Sequence, residues 1–236
     1  MDILSTGGYL SLVSMARTLV IDFDGTVCVG DDPVWSYARQ ITARLDETHA
    51  AAVVSALESY LSGNSGDRFA DGYSAVQILA SEHLTSAELS HAYLASRDEL
   101  ASGALRVAAP DGLRQFLIGL PARAVLVTNA PMTGIAETVH TLGLDGVFDE
   151  IITNADKPAG LRTIVEKLLD GATADTLMSI GDIWVNDLRV PHQMGCATAH
   201  IDRFGRGGGT PDLSAPSFEA LYPQITQWVR RRLPGQ

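Results

Sequence analysis

Residues 19–27 read LVIDFDGTV. An apolar run ends on two aspartates, Asp22 and Asp24, that flank one phenylalanine, and Gly25 and Thr26 follow. Residues 18–23 read as a strand with apolar side chains at both parities, the pattern of a sheet covered on both faces. On an extended chain Asp22 and Asp24 point to the same side, because residues two apart share a face. Two carboxylates so close repel each other unless a cation lies between them or one holds a proton. A plain strand followed by an Asp-Gly turn would read the same way in isolation, so the meaning of the stretch depends on what the rest of the chain brings beside it.

Downstream, residues 24–32 are rich in Gly and Asp and read as a turn. Asp32 and Pro33 then open a helix, a capping residue followed by proline at the first helical position. From 33 to about 103 the signal is helical, with Phe69, Tyr73, Val76 and Leu79/Ala80 at helical spacing. Residues 61–68 read as a loop, and TSAE at 85–88 fits a capping box. Trp35, Tyr60, Phe69 and Tyr73 read first as helix-packing residues, some of them facing a ligand.

After Pro110 helix and strand alternate. Helices are expected at 111–120, 131–142, 158–170 and 186–194, and strands at 123–128, 148–153, 176–181 and 197–201. Strict alternation implies a parallel sheet with helices on both faces. The fold class is therefore α/β, a doubly wound parallel sheet with an inserted α-helical cap. The core spans 15–31 and 104–236, the cap spans 32–103, and residues 1–14 form an N-terminal extension. The GRGGGTPD run at 205–212 reads as a mobile surface loop, since it lacks the Lys-Ser/Thr ending of a phosphate loop. Residues 217–232 form an amphipathic closing segment.

A chain of 236 residues with 46% apolar residues has enough to bury a sizeable core. Its net charge of -11 repels nucleic acid and anionic lipid, so neither is an expected partner. An anionic substrate would need a metal or a local positive group. Of the 17 basic residues only Lys157 and Lys167 are lysines. Cys28 and Cys196 form no metal-ligand spacing and read as buried thiols, and the histidines show no paired zinc spacing. No apolar run approaches a membrane span, and no basic residue precedes Arg17 as a secretory signal would require. The expected setting is cytoplasmic.

In doubly wound sheets function gathers at the carboxyl ends of the strands. Strand one ends at Asp22 and Asp24, the next at Thr128 and Asn129. The connection after the third carries Lys157, and the fourth ends at Gly181 and Asp182, with Asp187 five residues on. Carboxylates suit a hard divalent ion such as Mg2+. Asp182 adds a ligand, and Asp187 serves either as an outer ligand or to orient Lys157.

These four segments, in this order, resemble the motifs of the haloacid dehalogenase-like hydrolase superfamily. Asp22-Phe23-Asp24-Gly25-Thr26 matches Asp-x-Asp-Gly-Thr. AVLVT ending at Thr128 matches the second motif, Lys157-Pro158 the lysine motif, and Gly181-Asp182 with Asp187 the acidic fourth. The resemblance implies a phosphatase with a helical cap between the first and second motifs. By that resemblance Asp22 becomes a phospho-aspartate, and Asp24 protonates the leaving oxygen and then activates water. Mg2+ sits on Asp22, the Asp24 main-chain carbonyl and Asp182. Thr26, Thr128, Asn129 and Lys157 hold phosphate, with Gly181 and Asp187 in support, and the partner is a small phosphorylated metabolite. A phosphomutase of the same family and a non-catalytic binding protein on this fold are the alternatives. Dehalogenase branches lack the counterpart of Asp24, and the cap carries no lysine for Schiff-base chemistry. One departure is KPAGL at 157–161, which lacks the second proline of many relatives.

Overall fold

A computed structural model describes residues 17–66 and 69–231. The expected N-terminal extension and residue 232, the last of the closing segment, lie outside the described residues. Six parallel strands form one sheet: β1 (Arg17–Ile21), β2 (Ala122–Val127), β3 (Glu150–Ile152), β4 (Leu177–Gly181), β5 (Ala197–Ile201) and β6 (Leu213–Ala215), in the order β3-β2-β1-β4-β5-β6. β1 is buried along its whole length. Leu19 and Ile21 enter one apolar cluster with Leu113, Leu117, Ile135, Val139, Ile225 and Val229. These side chains come from α5 (Leu113–Ile118), α6 (Ile135–Thr141) and the C-terminal helix Tyr222–Arg230. Val20 enters the opposite cluster with Val125, Val127 and the α7 (Leu161–Leu169) residues Leu161, Val165 and Leu168. The chain thus steps outward from β1 to β3, and α7 carries it back to β4 on the other side of β1. This reversal opens a crevice at the carboxyl ends of β1 and β4.

Four helices lie between β1 and β2: α1 (Asp32–Thr42), α2 (Glu47–Leu61), α3 (Gly72–Ala80) and α4 (Ser86–Ala101). They bury a cluster of their own, built on Val34, Tyr37, Ile41, Leu57, Val76 and Leu89. Capping boxes open α3 at Asp71/Ser74 and α4 at Thr85/Glu88, the second as the TSAE pattern predicts. The two passages of chain that join these helices to the sheet bond to each other. Val29 and Ala108 exchange N–H···O bonds of 2.9 Å. Gly30 beside them is required, since a Cβ there would lie 2.8 Å from the Arg106 carbonyl.

Two local expectations are corrected. The α1 cap is Asp31 rather than Asp32, and neither carboxylate caps the helix. Asp31 accepts two bonds from the Arg203 guanidinium and Asp32 accepts the Arg106 backbone N–H and Nε, so both carboxylates are engaged away from the helix N-terminus. Residues 213–215, read as neither strand nor helix, add β6 to the sheet edge. The 205–212 run is a loop, as expected, in which Asp202 accepts N–H bonds from Arg206 and Gly207 and Arg206 donates to the Tyr60 carbonyl at the end of α2.

Candidate active site

As β1 ends, Asp22 still donates its N–H to the Ile180 carbonyl at 3.0 Å, so its side chain clears the sheet edge beside β4. Phe23 turns into the core at 0% exposure. Its carbonyl accepts the N–H groups of Thr26, Val27 and Cys28 at 3.2, 2.9 and 2.8 Å. This tight turn requires Gly25. Its φ is +85°, and a Cβ there would overlap the Asp182 carboxylate. Gly181 meets the same demand from Asp187. Both motif glycines are therefore spaces for carboxylates.

Asp22, Asp24, Thr128, Asn129, Lys157, Asp182 and Asp187 all line one cavity of about 650 Å³, set between the sheet edge and α1–α4. Thr26 does not. It is fully buried under the turn, which corrects its expected contact with phosphate. Asn129 is also engaged otherwise than expected. Its amide donates to the Lys157 carbonyl at 2.9 Å and accepts the Lys157 N–H at 2.6 Å. Asn129 thus fixes the lysine loop to the end of β2, across a segment that contains the cis Lys157-Pro158 bond.

Lys157 donates to Asp22 Oδ1 at 2.6 Å, to Asp187 Oδ1 at 2.7 Å and to the Val127 carbonyl at 2.9 Å. The other Asp187 oxygen accepts the Ile183 N–H at 3.0 Å. With both its oxygens occupied, Asp187 orients the lysine. Burial disfavours the Lys157 charge, but Asp187 and Asp22 outweigh it and hold the ammonium above its ordinary range. Thr128 accepts the Ala130 N–H on its hydroxyl oxygen at 3.0 Å, which leaves the hydroxyl proton to donate into the cavity.

Burial pushes the Asp22 carboxyl up to about 7 against the pull of Lys157, and the Asp187 charge adds to the rise. Burial, then Asp22 and Asp187, push Asp182 well above the carboxylate range. Asp182 Oδ1 is buried without a partner, and Asp22, Asp182 and Asp187 each offer an oxygen within 4.8 Å of the others. This donor set fits a hard divalent cation such as Mg2+: it is all oxygen, excess in negative charge, and has one oxygen awaiting a positive partner.

Three neighbours were not singled out in the sequence. Arg97 of α4, 1% exposed, donates one Nη1 to both Asp24 oxygens at 3.0 and 3.3 Å. Its signal was a charge on a buried helical stripe, since Leu89, Ser96 and Leu100 of α4 are buried on the same face. His200, buried in β5, lies 3.1 Å by its Nε2 from the Asp182 carbonyl. A carbonyl only accepts, so Nε2 carries the proton there. Arg203 binds Asp31 through both terminal nitrogens at 2.6 and 2.9 Å.

No protein-family model and no curated protein matches this chain. Solved structures do. A protein described as a HAD-hydrolase, YfnB from Bacillus subtilis, solved bound to magnesium, matches with a TM-score of 0.62 at 18% identity. The match covers 89% of this chain and 98% of YfnB. A predicted phosphoglycolate phosphatase from Haemophilus somnus matches at 0.60 and 18%, over 91% and 100% of the two chains. An L-2-haloacid dehalogenase from Xanthobacter autotrophicus matches at 0.53 and 16%, over 89% and 98%. The chain has the fold of the haloacid dehalogenase-like hydrolases.

Proposed function

We propose that the protein is a Mg2+-dependent phosphomonoesterase that acts on a small phosphorylated metabolite through a phospho-aspartate on Asp22. The observation that carries this reading is that Asp22, Asp24, Thr128 and Lys157 line one cavity, with the Lys157 ammonium 2.6 Å from Asp22. Asp22 attacks phosphorus and the ester P–O bond breaks. Asp24 gives its proton to the leaving oxygen, then takes one from the water that attacks phosphorus and releases Asp22. Thr128 donates its hydroxyl proton to a phosphoryl oxygen, and Lys157 places its charge beside the transferring group, as phosphoryl transfer requires. Asp22, the Asp24 main-chain carbonyl and Asp182 would hold Mg2+, which when bound lets an anionic ester approach three carboxylates. Helices α1–α4 serve as the cap that shields the phospho-aspartate from bulk water.

A halide leaves without a proton, so carbon–halogen cleavage would leave Asp24 without a task in the first step. Phosphate release from a panel of phosphomonoesters with Mg2+ tests the reading, with Asp22→Asn and a chelator as controls. Release that stops with either control is expected. Release from no ester, or release indifferent to Asp22→Asn, would overturn it.

A further inference from the structure

The cavity is much larger than a phosphoryl group needs. About 650 Å³ lies in the range that encloses a whole drug-sized ligand. A two-carbon ester such as phosphoglycolate would leave most of it unfilled. Several aromatic side chains line it. The helical side presents Tyr37, Tyr60, Tyr73 and Tyr93, and the sheet side presents Trp184 and Phe204. Tyr37, Tyr73 and Tyr93 form a mutual cluster with ring centroids 5.8–5.9 Å apart. Trp184 has His192 at 5.5 Å, and Gly209 lies so close that a Cβ there would overlap the indole. These are rings held in place by packing, as a stacking platform needs to be.

The charges along the wall point the same way. Among the described residues Lys157, Arg203 and Arg206 are the basic side chains of the lining, and each is already engaged. Lys157 holds Asp22 and Asp187, and Arg203 holds Asp31. Arg206 bonds the Tyr60 carbonyl at 2.9 Å, with its guanidinium 4.5 Å from the Tyr60 ring centroid and 4.4 Å from that of Phe204. Asp71 and Asp202 add further acid to the lining. A second phosphate or a carboxylate on the substrate would face carboxylates with no cation waiting for it.

We infer that the substrate is a monophosphate ester whose alcohol carries a flat aromatic ring of no net charge, a nucleoside or another heteroaryl alcohol. This rests on the phosphomonoesterase reading and narrows it. The test compares kcat/KM with Mg2+ for a nucleoside 5′-monophosphate, a pyridoxal-type phosphate, phosphoglycolate and a sugar bisphosphate, with p-nitrophenyl phosphate as a general phosphatase probe. One of the two ring-bearing monophosphates is expected to exceed phosphoglycolate and the bisphosphate. In Trp184→Leu and in Tyr93→Leu that preference should shrink about tenfold, the scale of one lost ring stack. The preference is a ratio of two esters on one preparation, so partial misfolding of a variant cancels from it. Phosphoglycolate or the bisphosphate as best ester, or a ratio unmoved in both variants, overturns the inference and leaves the phosphatase standing. Release from no ester, p-nitrophenyl phosphate included, removes both.

Discussion

Arg97 carries a full charge into a site where 1% of the residue meets solvent, and Asp24 is its ion-pair partner. Its Nε and Nη2 are buried with no bond partner among the described residues. The pair is asymmetric, since the Asp24 side chain is 26% exposed and reaches the cavity. Burial works against the Arg97 charge, but Asp24 more than restores it and holds it above its ordinary range. Removing one partner of such a pair strands the other. Asp24→Ala should therefore cost about 3 kcal/mol, the lower end of the buried-pair range because one side is partly solvated. Asp22→Ala should cost distinctly less, because Lys157 keeps Asp187 and the Val127 carbonyl and one repelling carboxylate is gone. Urea melts of the two metal-free variants against wild type check this, and equal losses would mean that Arg97 does not depend on Asp24.

At the scale of elements, the turn after β1 is a packing solution as much as a chemical one. Gly25 adopts φ +85° and lets the Asp182 carboxylate come within touching distance of the backbone. Gly25→Ala forces a side chain into that space and into a conformation it resists, so it should cost about 1–3 kcal/mol. It should also weaken Mg2+ binding at least tenfold, because Asp182 must move. Denaturation gives the first quantity and a calorimetric Mg2+ titration the second; unchanged Mg2+ affinity would remove Asp182 from the cation site. The segment after β5 is a second element whose role depends on its neighbours. Arg206 lies against both Tyr60 and Phe204, and this ties the sheet side to the end of α2.

For the whole molecule, the carboxylate cluster sets how stability responds to pH. Asp22 ordinarily titrates at 3.8 and is raised to about 7 in the fold. Below about 4 it is protonated in both states and costs nothing. As pH rises from about 4 to about 7 the unfolded chain ionises first, so metal-free stability falls through that window and the loss is complete above it. A divalent cation favours the ionised cluster. Mg2+ at a hundredfold over its Kd should stabilise the chain by about 2.7 kcal/mol, or roughly 5–10 °C in Tm, at pH 8. The shift should shrink markedly at pH 5. Differential scanning calorimetry at both pH values checks this, and an equal shift at both would place Mg2+ away from Asp22.

The alternation after Pro110 was enough to read the parallel sheet, because helix and strand periods are local properties of the chain. β1 and β5 were legible for the same reason, and TSAE marked the start of α4. Asp22, Asp182 and Lys157 were legible because each follows a recognisable strand or lies in the loop after one, and sheet topology brings strand ends together. β6 was not legible, since three residues at a sheet edge carry no period and exist as a strand through pairing with β5. Arg97 and Arg206 were not legible either. Their partners, Asp24 and Tyr60, lie 73 and 146 residues away, and a buried charge is written in sequence like a solvated one. Thr26 was misplaced because the turn, which the tertiary contact with Asp182 shapes, points it under the sheet edge. Sequence by itself determined which strands end in acid. Tertiary structure decided which acids converge, which are held by arginine and lysine, and which rings wall the cavity, because those depend on distances between segments that no local pattern encodes.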